Sequence, residues 1–206
     1  MTLSEQANPE GRSAARWYWR SMIAIPVLFV AVFVFGARVD IMDYLASHEF
    51  RIATVKPGEA APYARATWSL ASAQLVDGGE GARLPLSKDR KLLIVRLKAV
   101  PDGKIIDEAD RQSAWMGCSL TLVDGGGQRW SPLSFVLSRD ISRALEPTAT
   151  PVAGCLEASR SIGLDGQPTL VEEKFLIPAE AAAGLSARLS FRSALPDALS
   201  FPLELR

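Results

Sequence analysis

The sequence predicts an all-β fold, an antiparallel β-sandwich, preceded by a single N-terminal transmembrane α-helix. Three observations carry that expectation. Residues 21–37 form an uncharged apolar run. The later chain alternates apolar and polar residues with a period of two, as half-buried strands do. Four Asp-Gly dipeptides (Asp77-Gly78, Asp102-Gly103, Asp124-Gly125, Asp165-Gly166) punctuate it, and Asp-Gly favours turns because Gly takes positive φ without strain.

The apolar run reads SMIAIPVLFVAVFVFGA, and ten of its positions are Ile, Val, Leu or Phe. At about −0.3 to −0.6 kcal/mol each, these favour insertion by roughly −3 to −6 kcal/mol. The run is near the short limit of about 17–25 residues for a span. Trp17, Tyr18 and Trp19 supply an aromatic anchor at one interface, and Arg20 and Arg38 can snorkel at the two ends. A cleaved signal peptide is the competing reading, with Val34 and Gly36 as a passable site. The aromatic cluster and the long run favour an uncleaved anchor. Arg12, Arg16 and Arg20 precede the run closely and only Arg38 follows it closely, so the N-terminus is expected in the cytoplasm and the later domain outside it.

Four regions follow: a cytoplasmic tail over 1–20, the span over 21–37, a membrane-proximal stalk or linker over 38–61, and the extracytoplasmic sandwich over 62–206. In the stalk, Asp40, Asp43, Ser47 and Arg51 fall at helical spacing. The sandwich has room for one domain. Among 206 residues, 48% are apolar and 22% charged, a globular composition. The 23 basic and 23 acidic residues cancel, so nothing suggests the basic face that nucleic acid requires.

Within the sandwich, 91–100 places Leu93, Val95, Leu97 and Ala99 on one face, with Arg96 and Lys98 on the other. Residues 185–192 and 199–206 alternate as cleanly, and Pro202 suggests that the last strand lies at an edge. Further strands are expected over 64–70, 118–123, 129–136 and 170–177, with a hairpin around Asp124–Gly127. Only 139–145 and 179–183 read as helical. Cys118 shares a face with the core residues Leu120 and Leu122. Paired with Cys155 in an oxidising compartment, it would close a loop of about 37 residues, worth ~3.8 kcal/mol in the chain-entropy model. The competing reading is two unrelated buried thiols.

The order Leu122-Val123-Asp124-Gly125, then Gln128-Arg129-Trp130, then Phe175-Leu176-Ile177-Pro178 before a final strand pair, resembles a bacterial family. That family comprises exported immunoglobulin-like domains of unknown function, tethered by a lipid or one helix. The resemblance covers about residues 62–206. It implies an immunoglobulin-like sandwich and an exported location, and no defined activity. The first long strand departs from the family pattern by leaving through Val100-Pro101-Asp102-Gly103, and there is no lipobox cysteine.

No catalytic constellation stands out, so the chain is not expected to be an enzyme. His48 is the only histidine, and no G-x-S-x-G elbow accompanies it. Glu172 and Glu173 are adjacent and point to opposite faces of a strand, so they cannot act as a carboxylate pair. Two cysteines and one distant histidine do not make a structural zinc site, and no cofactor motif is present. Asp107, Glu108 and Asp110 form a candidate ion site, with a solvated acidic turn as the plainer reading. Trp68, Trp115 and Trp130 are candidates for a ligand groove or for the core. The expected partners are the lipid bilayer and a membrane or envelope protein, with a small-ligand or ion-binding sensor as the alternative.

Overall fold

The computed structural model describes residues 22, 24–38, 41, 44, 48–49, 51–77, 84, 86–87, 89–103, 108–161 and 167–205. The chain divides into two units, Met1–Ala46 and Ser47–Arg206.

In the first unit, residues 24–38 lie in an α-helix, α1. Its large side chains are exposed around the helix, among them Ile25, Val27, Leu28, Phe29, Val32, Phe33 and Phe35. Among the described residues no helix is long and apolar enough to cross a membrane. Trp17, Tyr18, Trp19 and Arg20 lie outside the described residues, and Arg38 is exposed on α1.

The second unit holds two β-sheets. Its strands are β1 (Arg51–Thr54), β2 (Ala60–Tyr63), β3 (Ala66–Asp77), β4 (Arg90–Pro101), β5 (Ser119–Val123), β6 (Arg129–Trp130), β7 (Thr169–Pro178), β8 (Ser186–Ser190) and β9 (Asp197–Pro202). Among the described residues three α-helices are interspersed: α2 (Glu108–Ala114), α3 (Phe135–Leu145) and α4 (Cys155–Ser161). One sheet has the order β1-β9-β8-β5-β6 and the other β2-β3-β4-β7. Every pairing is antiparallel except β1 with β9, which is parallel.

The period-two alternation builds the core. Trp68, Leu93, Val95, Leu97, Val171 and Phe175 from one sheet meet Leu120, Leu122, Leu189, Leu199 and Phe201 from the other, all buried in one cluster. A second, smaller cluster lies on the opposite face of the four-stranded sheet, where Leu92 and Ile94 are covered by Ile141 of α3, by Leu84 and by flanking Leu133 and Leu145.

Several expectations need correction. Of the stalk expected over 38–61, the part from Arg51 onward belongs to the sandwich, because β1 and β2 both join the sheets. Asp40, Asp43 and Ser47 lie outside the described residues. β9 is not an edge strand, because β1 and β8 flank it; Pro202 is tolerated there because it is the strand's last residue. The strand over 129–136 stops at Trp130 and gives way to α3. Pro132 has no N–H to continue a ladder. Beyond it, Ser138, Ile141, Ser142 and Leu145 recur at i, i+3, i+4 and i+7, the spacing of one helix face. The acidic stretch expected as a turn opens α2 at Glu108, and 179–183 shortens to a 3-10 turn over Ala179–Ala182.

Two turns show how local chemistry sets register. In the β5–β6 hairpin, Asp124 Oδ1 accepts the N–H groups of Gly126 and Gln128, both at 2.8 Å. The β2–β3 turn instead uses Ala64 and Arg65, with φ of 48° and 59°, a conformation costing roughly 1–2 kcal/mol per non-Gly residue. It is held by three bonds to successive carbonyls. Trp68 Nε1 donates to Tyr63 O and Trp115 Nε1 to Ala64 O, each at 3.0 Å, and the Asp102 N–H donates to Arg65 O at 2.9 Å. Replacing Ala64-Arg65 by Asn-Gly is expected to raise stability by about 1–2 kcal/mol in urea unfolding, since the Arg65–Asp110 pair that is lost is exposed and worth little.

Candidate functional site: a cleft beside a buried charge cluster

The run TLVEEKFLIP forms β7, at one edge of the four-stranded sheet. Val171, Glu173, Phe175 and Ile177 turn toward the sandwich core, and Glu172 and Lys174 toward the opposite face. That face is not solvated, because α3 and its flanking residues cover it. Glu172 is 4% exposed and Lys174 2%.

The two buried charges are paired. Lys174 Nζ donates to Glu172 Oε1 and, at 3.3 Å, to Ser138 Oγ on α3. Arg96, the residue opposite Glu172 in the β4–β7 register, donates from Nε to Glu172 Oε2 at 2.5 Å. Hydrogen-bonded pairing of this kind is what lets charges stay ionised out of water. Ser138 and Lys174 have the residue types of a nucleophile and base. Lys174 Nζ donates to both Glu172 and Ser138, however, so the contact fastens α3 to the sheet.

The free edge of β7 is closed by two segments. The Leu133 N–H donates to Lys174 O at 2.7 Å, and the Glu172 N–H donates to Ala153 O at 2.9 Å. Between these segments opens a cleft of about 610 Å³. Its walls are Pro132, Leu133 and Phe135 on one side and Pro151, Val152 and Leu156 on the other, with Glu173 also lining it. Phe135 and Leu156 are 56% and 59% exposed. Glu173 is 9% exposed, and its Oε1 accepts the Cys155 N–H at 2.6 Å. Burial holds the Glu173 carboxyl above the usual carboxylate range, with the Cys155 N–H and the Lys174 charge acting in the other direction. A side chain at Gly154 would place its Cβ 3.0 Å from that oxygen.

The cysteines are brought together: Cys118 and Cys155 form a disulfide with Cα atoms 5.4 Å apart. Cys118 directly precedes β5 and Cys155 opens α4, so the bond ties the five-stranded sheet to the cleft wall. The candidate ion residues are not assembled into a site. Asp107 lies outside the described residues, Glu108 is in α2, and Asp110 pairs with Arg65 at 3.2 Å. Among the described residues no group of three His, Cys, Asp or Glu side chains is placed to hold a metal ion. His48 is exposed.

Trp68 and Trp115 line no groove. Both are fully buried, with ring centroids 5.0 Å apart and Phe191 against each. Tyr63 completes this cluster. Its hydroxyl donates to Asp197 O at 2.6 Å and accepts the Phe191 N–H at 3.3 Å, and burial pushes its pKa up to about 12. Trp130 is half-buried beside the core.

The cleft and the charge cluster were missed by sequence reasoning. Their signal is three charged residues, Glu172–Lys174, inside an otherwise apolar strand with apolar neighbours on both sides.

Two outcomes test this geometry. Lys174→Ala is expected to destabilise the domain by about 3 kcal/mol, and Glu172→Leu with Lys174→Met to recover most of that loss, both read by equilibrium urea unfolding. Glu173 binds its proton more tightly in the native state than in the unfolded chain. Its contribution to stability is therefore complete below the ordinary value of 4.5 and is lost as pH rises through the raised native pKa. The difference in stability between wild type and Glu173→Gln should shift against wild type across that window. A pH-independent difference would refute the assignment.

No protein-family model matches the chain, and no curated protein matches it. Two solved structures are similar in outline. One is the yjhA protein of Bacillus subtilis, at 12% identity and a TM-score of 0.40, covering 73% of this chain and 99% of that one. The other is an uncharacterized β-sandwich protein of Clostridium difficile 630, at 10% identity and a TM-score of 0.41, covering 76% and 97%. At these values neither bears on function.

Proposed function

We propose that this chain is a membrane-anchored, extracytoplasmic β-sandwich that acts as a protein-interaction or complex-assembly module of the bacterial cell envelope. The observation that carries the proposal is α1. A helix with large apolar side chains exposed all round is stable only when covered, by protein or by lipid. Trp17, Tyr18, Trp19 and Arg20 before the apolar run, and Arg38 after it, are the residue types that settle at the two membrane interfaces. The Cys118–Cys155 disulfide fits an oxidising compartment, on the far side of a bacterial inner membrane.

The strand connections support an immunoglobulin-like sandwich. The chain passes from the four-stranded to the five-stranded sheet between β4 and β5, returns between β6 and β7, and crosses again between β7 and β8. The first strand lies parallel to the last, an arrangement compatible with that class. An interaction role is supported by exposed Phe135, Val136, Leu137 and Leu156, since adjoining large apolar side chains on a surface mark places where partners bind.

The sensor reading retains one feature. Its ion arm is weakened by the Arg65–Asp110 pair and its aromatic arm by the burial of Trp68 and Trp115, but the cleft with Glu173 in its lining remains.

The full-length chain is expected to stay with membranes through alkaline carbonate washing, and a variant lacking residues 1–46 to be released. Protease added to intact spheroplasts should cut the second unit. Capture under mild detergent at native expression should recover a second envelope protein. Release of the full-length chain by carbonate would overturn the anchor, and repeated recovery of the chain alone would overturn the interaction role.

A further inference from the structure

We propose that the cleft between α3 and the 151–157 segment binds a small organic cation, an apolar body carrying one ammonium head, with Glu173 as the counter-ion. The inference rests on the small-ligand reading and is independent of the tether.

Volume and lining set the ligand's body. About 610 Å³ falls within the roughly 300–1,000 Å³ of small-molecule sites, which are mostly apolar with a few placed polar groups. Pro132, Phe135, Pro151, Val152 and Leu156 supply flat apolar walls. The depression of about 630 Å³ beside the β2–β3 turn differs in kind, since its charged side chains, Arg65 and Asp102, are both exposed.

Charge sets the head. Among the described residues the lining holds three charged side chains, Arg139, Glu157 and Glu173. Arg139 and Glu157 are exposed and opposite in sign. Glu173 is the buried one. Strand alternation sends the neighbouring Lys174 to the other face of the sheet, where Glu172 holds it. Among the described residues Glu173 Oε1 accepts the Cys155 N–H, and a carboxylate has room for about four such bonds. A largely buried carboxylate that lines a cleft gains from a cation brought to it with little water. Gly154 keeps the approach open, because any larger residue would crowd the carboxylate oxygen. The competing role for Glu173 is structural, holding the first N–H of α4, and a glutamine serves that role equally well through its amide oxygen.

The test uses the full-length protein in nonionic detergent, with phenethylammonium and its neutral isostere 2-phenylethanol as probes, followed by backbone amide shifts. Phenethylammonium is expected to shift the Gly154, Cys155 and Phe135 amides and to bind at least ten-fold more tightly than the alcohol. Glu173→Gln should bring the amine down to the alcohol's affinity while leaving the Cys155 amide protected from exchange. Phe135→Ala should weaken both probes. Equal affinity of the two probes, absence of binding by either, or unchanged selectivity in Glu173→Gln would each overturn the proposal. Shifts mapping away from the cleft would overturn it too, while leaving a ligand role for the domain standing.

Discussion

Burial of β7 on both faces is the constraint from which the rest of the second unit follows. An edge strand of a sandwich ordinarily keeps one face in the core and the other in water. Here the outward face carries Glu172 and Lys174, and both are buried. Two charges can be held out of water only with close partners, which Arg96 and Ser138 supply. Ser138 is available because the chain beyond β6 becomes a helix rather than a strand. The edge N–H and C=O groups of β7 are likewise satisfied by Ala153 and Leu133, so the edge offers no ladder to another chain at those positions. The cleft is the gap left where those two covering segments do not meet.

Much of the sandwich was legible in the sequence, for one physical reason. Where a strand has one buried face, the period of two is written in residue type, as in Leu93, Val95, Leu97 and Ala99 of β4. The Asp124 turn was legible because its side chain makes the turn's own bonds. What failed is what period and turn chemistry do not encode. β1 has four exposed residues and joins the sheet through backbone pairing and the exposed Arg51–Asp197 ion pair, so no apolar pattern marks it. Pro202 suggested an edge for β9, but proline constrains only its own N–H, and at a strand's last residue that group need not pair. The β2–β3 turn carries no Gly, Asn or Asp. It is held from a distance, by indoles of Trp68 and Trp115.

The site was less legible than the fold. The Cys118–Cys155 pairing could be anticipated from the core-facing position of Cys118. The opposed orientation of Glu172 and Glu173 also followed from strand geometry. Neither pointed to a cleft, because the covering layer comes from residues 131–157, distant in sequence from β7. The ion-site expectation failed differently. Acidic spacing around Asp110 says nothing of Arg65, which reaches it across 45 residues.

The covering layer has a further property that comes from the disulfide. Leu133, α3, Pro151, Val152 and Ala153 all lie between Cys118 and Cys155, so the whole lid over β7 is a lariat cinched at its base. Outside β5 and β6, its residues add no strand to either sheet. Such a closed loop can lengthen, shorten or change its side chains while the two sulfurs keep its ends in place. The two sulfurs therefore fix where the layer begins and ends, while Ser138, Leu133 and Ala153 fix how it lies on β7.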